Sequence, residues 1–258
     1  MLSYSLDELA TMVSAYTWVL FRVASVMMTM PVFGTQLLPA RIRLFLALII
    51  AMLVTPQIPP VPVIDALSLA SWVVIAEQIL IGAAMGFMLQ LLFQIHVLAG
   101  QIIAMQMGLG FASMNDPSMG ISVAVVGQVF TMLVTLLFLT LNGHLVVIEV
   151  LADSFTTLPI GQSLQAEDFY TLVLRFSWVM AAALLIGLPA IIALLIVNLA
   201  FGVMMRAAPQ LNIFSIGFPL TLVFGFFILW VLLNNVGAEY QALAAECLGW
   251  LREMVAAR

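Results

Sequence analysis

Long apolar runs separated by short polar breaks dominate this chain. They lie at roughly Leu9 to Val32, Leu44 to Val54, Leu67 to Met105, Ile121 to Leu151, Thr171 to Met205 and Ile213 to Leu233. About 20 helical residues match the hydrocarbon thickness of a bilayer, and backbone groups in lipid must be satisfied within their own segment. Each run is therefore expected to be α-helical. The lengths do not suit a set of uniform spans: Leu44 to Val54 is too short to cross alone, and Thr171 to Met205 makes a helix of about 50 Å at about 1.5 Å per residue. Pro189 after Gly187 and Pro219 after Gly217 each remove an amide donor and clash with the preceding turn, so kinks or breaks are expected there. Asn142, Gly143 and His144 divide a further run. Such interruptions fit an ordinary membrane bundle, or bent hairpins packed against curved neighbours.

Composition turns this pattern into a class. Charged residues make up 7% of the 258 positions and apolar ones 65%, whereas soluble domains carry about 25% charged residues. The expected fold is an all-α membrane protein, which narrows function to transport, assembly or intramembrane chemistry. Asp7 and Glu8 stand where a cleavable signal peptide needs a basic region, so none is expected. Cys247 is the single cysteine and leaves no intrachain disulfide. His96 and His144 lie far apart with no ligand spacing, so no metal and no cofactor is expected. The seven basic residues are all arginine, too sparse a set for nucleic acid. In a plain count of the runs, Arg41, Arg43 and Arg206 fall on one side, which the positive-inside rule makes cytoplasmic; Arg252 and Arg258 vote the other way.

Charges inside the runs carry more information. Arg22, Glu77, Glu149 and Arg175 lie in or near hydrophobic stretches, where a charge costs about 2.5 to 3.5 kcal/mol on the mildest scale. They are expected to snorkel at helix ends or pair with one another, or else to meet other subunits. Gln90, Gln94 and Gln101 share one helical face, since offsets of 4 and 11 residues return to within about 40°. Amide stripes of this kind join helices by hydrogen bonds.

The segment Gln101 to Gly120, QIIAMQMGLGFASMNDPSMG, combines glycines at 108, 110 and 120 with a turn signal at Asn115, Asp116 and Pro117. It stays apolar nonetheless. Met105, Met107, Phe111, Met114 and Met119 would be costly in water, so the loop is expected to be buried in a lumen or an interface. Methionine adapts to irregular gaps, which suits a seal, although an ordinary buried re-entrant connection has the same composition. A secondary transporter would also show broken helices near mid-membrane. No phosphate-binding G-x-x-x-x-G-K-[ST] and no H-E-x-x-H sequence is present, so the chain is not expected to be an enzyme.

Five blocks carry a family resemblance: PVFGTQLLPARIR at Pro31 to Arg43, QMGLGFASMNDP at Gln106 to Pro117, LFLTLNGHL at Leu137 to Leu145, LPIG at Leu158 to Gly161, and RAAPQLNIFSIGFPLT at Arg206 to Thr221. In this order and spacing they resemble the FliR/SctT family of type III secretion export-gate proteins, and within it the flagellar branch, FliR, over nearly the whole chain.

The resemblance implies a single-copy subunit, residues 1–258, that closes a spiral of FliP and FliQ copies in a helical, cone-shaped, hetero-oligomeric export gate. Residues 1–165 would correspond to a FliP-like part and 166–258 to a FliQ-like helical hairpin. FlhA and FlhB homologues, exported unfolded proteins and membrane lipids are the further partners implied. The implied location is the bacterial inner membrane within the flagellar basal body, partly raised towards the periplasm. The loop 106–120 would be the plug of the channel, with Gln106, Met107, Gly108, Gly110, Phe111, Met114, Asp116 and Pro117 as its residues. Arg206, Pro209, Gln210, Asn212, Gly217 and Pro219 would form a subunit interface and hairpin turn. On this resemblance the channel is gated, and its energy comes from partners or the proton gradient.

Overall fold

The structure is a computed structural model that describes residues 6–35, 38–59, 61, 68–109, 125–207 and 213–256, with the side chains of 6–11 and 213–216 outside that description. Of the described residues 87% are helical, and none is in a strand. In chain order the helices are α1 (Leu6–Thr29), α2 (Ala40–Val54), α3 (Leu69–Gln106), α4 (Val125–Thr140), α5 (Gly143–Thr157), α6 (Ala166–Ala207), α7 (Ile213–Leu233) and α8 (Val236–Val255). A 3-10 turn, Thr55–Gln57, extends α2. By length and composition α1, α2 with its 3-10 turn, α3 and α6 are each able to cross a membrane, and the bent pairs α4/α5 and α7/α8 could each supply one further span.

The length expected of the second run needs correction, and the alternatives at the two prolines narrow. Helix α2 starts four residues before the apolar run and continues through the 3-10 turn, so Ala40–Gln57 reaches 18 residues and is not too short to span. Pro189 and Pro219 do not break their helices: α6 and α7 run through them. The freed carbonyl of an internal proline is tolerable in a membrane helix because neighbouring groups re-satisfy it. The breaks fall instead at Leu141–Asn142, as the Asn-Gly-His run suggested, and at Asn234–Asn235, which the apolar pattern concealed. Asn142 enters the left-handed region at φ 56, which asparagine tolerates, and its carbonyl accepts from Leu145 and Val146 to start α5.

The chain divides into two compact units that interleave along the sequence. The first comprises Met1–Leu91, Leu141–Arg175 and Ala245–Arg258. Here α1 buries Val19, Val23, Val26 and Met30, a 4-3-4 spacing that keeps one stripe inward. That stripe meets α3 at Gly82 and Gly86, where an added Cβ would strike the Arg22 carbonyl, the Thr29 hydroxyl and the Met30 amide. The pair is a G-x-x-x-G approach of two helix backbones, which lets van der Waals contact do what hydrophobic exclusion cannot do within lipid. Ser25 Oγ adds a hydrogen bond to the Ile79 carbonyl at 2.7 Å.

The second unit comprises Leu92–Thr140 and Phe176–Ala244. Its core gathers Ile103, Ala104 and Met107 of α3, Val126 and Phe130 of α4, Ala190 and Leu194 of α6, Leu229 of α7 and Val236 of α8. Helices α3 and α4 approach at Gly100, whose added Cβ would lie 2.8 Å from the Gly127 Cα. Each unit draws residues from both sides of position 165, so a division there follows the family resemblance and not compactness.

Candidate functional site

Helix α3 delivers the chain to the start of the glycine-rich loop and ends there in a defined motif. Gly108 has φ 83, its N–H donates to the Met105 carbonyl at 3.1 Å, and the Leu109 N–H reaches back to the Ala104 carbonyl at 3.1 Å. This is the paired bonding of a Schellman cap, which needs a left-handed residue that glycine supplies without a Cβ penalty. Leu109 completes it by packing against the core that holds Ala104.

Met107, immediately before the cap, is fully buried. It is seated over Gly225 of α7: a Cβ there would lie 2.5 Å from Met107 Cγ, 2.7 Å from Cε and 3.0 Å from Sδ. Gln106 is half-buried, while Met105 is exposed. Gly110, Phe111, Met114, Asp116 and Pro117 lie outside the described residues.

At the second predicted site, Arg206 is exposed in the last turn of α6, where a cation complements the negative end of the helix dipole. At the other end of α6, Glu167 and Asp168 sit in the first turn, and Asp168 Oδ2 accepts the Gln165 N–H at 2.8 Å, the reach-back half of a capping box. Pro209, Gln210 and Asn212 lie outside the described residues. Gly217 and Pro219 are placed within α7, buried and exposed respectively, rather than in a turn.

A third cluster was only half legible. Arg22 does not snorkel, being fully buried in α1, and among the described residues it pairs with no acid, its hydrogen bonds there going to neutral oxygens. Its Nε donates to Gln78 Oε1 at 2.8 Å, Nη1 to the Ser154 carbonyl at 2.8 Å and Oγ at 3.1 Å, and Nη2 to the Leu158 carbonyl at 3.0 Å. The guanidinium also lies 4.3 Å from the centre of the Phe155 ring. Arg22 thus joins α1 to α3 and caps the carbonyl end of α5, a favourable place for a cation. The other in-run charges differ: the Arg175 guanidinium lies 3.6 Å from the centre of the Trp250 ring, Glu77 is half-buried and Glu149 is exposed. Gln90 and Gln101 are half-buried and Gln94 is exposed.

Sequence reasoning missed Gln78, the G-x-x-x-G pair and Gly225. The G-x-x-x-G spacing inside an apolar run was an available signal. Nothing in the local sequence marks Gln78 or Gly225, because each acquires its role from a distant helix.

The five resemblance blocks share a location. Where described, they lie at helix junctions: the turn before α2, the end of α3, the α4–α5 break, the turn after α5 and the α6–α7 connection. The turn after α5 supplies both the Leu158 acceptor and Gly161 at φ 97, with Gln162 N–H donating to the Pro159 carbonyl. Lipid-facing or core positions accept many apolar residues, whereas a cap or a left-handed turn accepts few.

Fold and site together define an all-α membrane protein whose distinctive residues fix helix ends and buried crossings. The family model described as "Bacterial export proteins, family 1" matches residues 13–247, and the chain belongs to that family. It is similar to the flagellar biosynthetic protein FliR of Escherichia coli (strain K12), with 38% identity over 99% of this chain and 98% of the relative. The FliR protein of Pectobacterium carotovorum subsp. carotovorum is 36% identical over 99% and 98%. That of Buchnera aphidicola subsp. Schizaphis graminum is 32% identical over 97% of each chain.

Proposed function

We propose that the chain serves flagellar protein export as a single-copy subunit of the type III export gate, forming with FliP and FliQ homologues a channel for unfolded substrates. FlhB and FlhA homologues would adjoin it in the inner membrane of the flagellar basal body, with the gate partly raised towards the periplasm. The observation that carries this reading is the near-full-length match to flagellar biosynthetic relatives. The many exposed large apolar side chains of α6 and α7 are compatible with helices covered by lipid or by sister subunits.

In this reading the loop 106–120 is the resting plug. An apolar constriction stops ions by dewetting, so Phe111 and Met114 would exclude water when no substrate is present. Met107 would hold the base of the plug instead of filling the channel, because its side chain is engaged within the chain's own core. Arg206, Gln210 and Asn212 would contribute polar contacts to sister subunits.

Removing residues 110–120 while keeping Met107 and the Gly108 cap tests the plug. The assembled complex is expected to leak ions or small solutes; an assembled deletion variant as tight as the parent would reject the plug role. Alanine at Arg206 and Gln210 is expected to reduce recovery of FliP and FliQ homologues on co-purification. Undiminished recovery would remove both from the interface.

A further inference from the structure

The structure assigns a binding site for the headgroup of phosphatidylethanolamine to a cavity of about 170 Å³ in the first unit, between the start of α6 and the end of α8. Asp168, Thr171 and Arg175 line it from α6, Trp250 and Glu253 from α8, and Met88 from α3. The three α6 positions fall within about 60° of one another at about 100° per residue. One helix face thus sets an acid, a hydroxyl and a base around a single space.

Arg175 and Asp168 are each anchored by a separate neighbour. The Arg175 guanidinium carbon lies 3.6 Å from the centre of the Trp250 ring, and its Nε is shielded from solvent without an acceptor among the described residues. Asp168 Oδ2 accepts the Gln165 N–H at 2.8 Å. The acid and the base are therefore positioned independently, about 10 Å apart along the helix axis at about 1.5 Å per residue. Groups held in place before a ligand arrives cost little to order on binding. Thr171 and Glu253 are exposed, which leaves the cavity a mouth.

The place of the cavity in the membrane selects the ligand. Helix α6 is long and apolar enough to cross a bilayer, and Glu167 and Asp168 in its first turn, followed by Phe169 and Tyr170, mark the level of the headgroups. Arg175 lies two turns deeper. That order, acid outside and arginine inside, is the order of ammonium and phosphate along phosphatidylethanolamine. The guanidinium fork suits phosphate oxygens, and the carboxylates of Asp168 and Glu253 accept the ammonium N–H groups. A cavity of about 150 Å³ admits benzene, so the space suits a headgroup of comparable bulk. Phe169, Val173 and Met180 are exposed within about 40° of one another on the adjoining flank of α6, a path for the acyl chains.

Other phospholipids fit one half only. Phosphatidylglycerol brings no cation and sets its phosphate beside two uncompensated carboxylates. Phosphatidylcholine has no N–H to donate, and the Trp250 face that could receive a quaternary ammonium is taken by Arg175.

The test uses the full-length chain, solubilised in mild detergent and stripped of lipid, with dioleoyl-phosphatidylethanolamine, -phosphatidylcholine and -phosphatidylglycerol added in parallel. Native mass spectrometry is expected to show preferential retention of phosphatidylethanolamine. Arg175→Gln should lower that retention about tenfold, the value of a hydrogen bond to a charged group, while Arg41→Gln, outside the site, should leave it unchanged. Asp168→Asn with Glu253→Gln keeps an oxygen for the Gln165 N–H and removes both negative charges, so it should abolish the preference for phosphatidylethanolamine over phosphatidylglycerol. Equal retention of the three lipids, or an unchanged preference in the Asp168/Glu253 variant, would overturn the proposal. Displacement of the lipid by equimolar glycerophosphoethanolamine would overturn it too, because the ligand would then be the soluble headgroup and not the lipid.

Discussion

Arg22 Nε donates to Gln78 Oε1 at 2.8 Å, with both side chains wholly buried and 56 positions apart in the chain. The contact fixes the rotation of α1 against α3. The remaining arginine donors hold the carbonyls of Ser154 and Leu158, so one side chain closes the first unit around three helices.

Arg22→Ala should therefore be among the most damaging single changes. Four oxygens lose their arginine donor, Gln78 Oε1, the Ser154 carbonyl and Oγ, and the Leu158 carbonyl, and each buried acceptor left unsatisfied costs about 1 to 3 kcal/mol. Arg22→Lys should recover little, because a compact ammonium cannot reproduce the planar fork that addresses Gln78, Ser154 and Leu158 together. Thermal unfolding in detergent, followed by tryptophan fluorescence, measures both. An alanine variant within about 0.5 kcal/mol of the parent, the range of ordinary surface changes, would show that the network contributes nothing.

The glycines of α3 and α6 make opposite predictions. An added methyl meets the Arg22 carbonyl at Gly82, and the Thr29 hydroxyl and the Met30 amide at Gly86, so alanine should destabilise by about 1 to 3 kcal/mol or more through overpacking. At Gly202 nothing lies within 4 Å of the added carbon. There the change gains the helix preference of alanine over glycine, about 0.5 to 1 kcal/mol. Unfolding midpoints of the isolated chain should move down for the first two and up for the third; a shared direction would mean that the α1–α3 crossing is looser than described.

These residues show where sequence reading succeeded and where it stopped. Helices were legible because lipid leaves the backbone no other regular partner within a segment, and the Asn142 break was legible because its signal is local. At Pro189 and Pro219 the sequence offered a kink or a break, and both helices run on without a break, because a proline in a membrane helix need not end it. Arg22 was recognisable as anomalous, yet its partners lie 56, 132 and 136 positions away. The loop 106–120 announced its glycines and methionines, but not that Met107 belongs to the core while its neighbour Met105 is exposed.

Met107 and Gly225 should be energetically coupled. Gly225→Ala alone forces Met107 to move from its root, since Cγ is as close as Cε to the new carbon. Met107→Ala alone leaves a cavity and costs about 2 to 5 kcal/mol. Together the two changes should be less harmful than their sum, with an interaction energy of about 0.5 to 3 kcal/mol. A double-mutant cycle on thermal unfolding measures it, and strict additivity would place the two side-chain positions out of contact.

Val32 offers a reversal of the usual order of substitutions. It has φ 73, and across it the Phe33 N–H donates to the Pro31 carbonyl at 2.9 Å, the bonding of a γ-turn whose left-handed form is rare and strained. A β-branched residue held there costs about 1 to 3 kcal/mol. Val32→Gly removes that strain, but it also loses a half-buried side chain, worth roughly 1 kcal/mol, and orders a freer residue at about 0.5 to 1 kcal/mol. The contributions nearly cancel, so stability should change by less than about 1 kcal/mol. Val32→Ala loses the same burial and keeps much of the strain. Alanine should therefore be worse than glycine at this position, whereas at Val23, buried within α1, glycine should be the worse by about 1 kcal/mol. Unfolding midpoints for the four variants decide it: if alanine outranks glycine at both positions, the turn at Val32 does not hold the strained conformation.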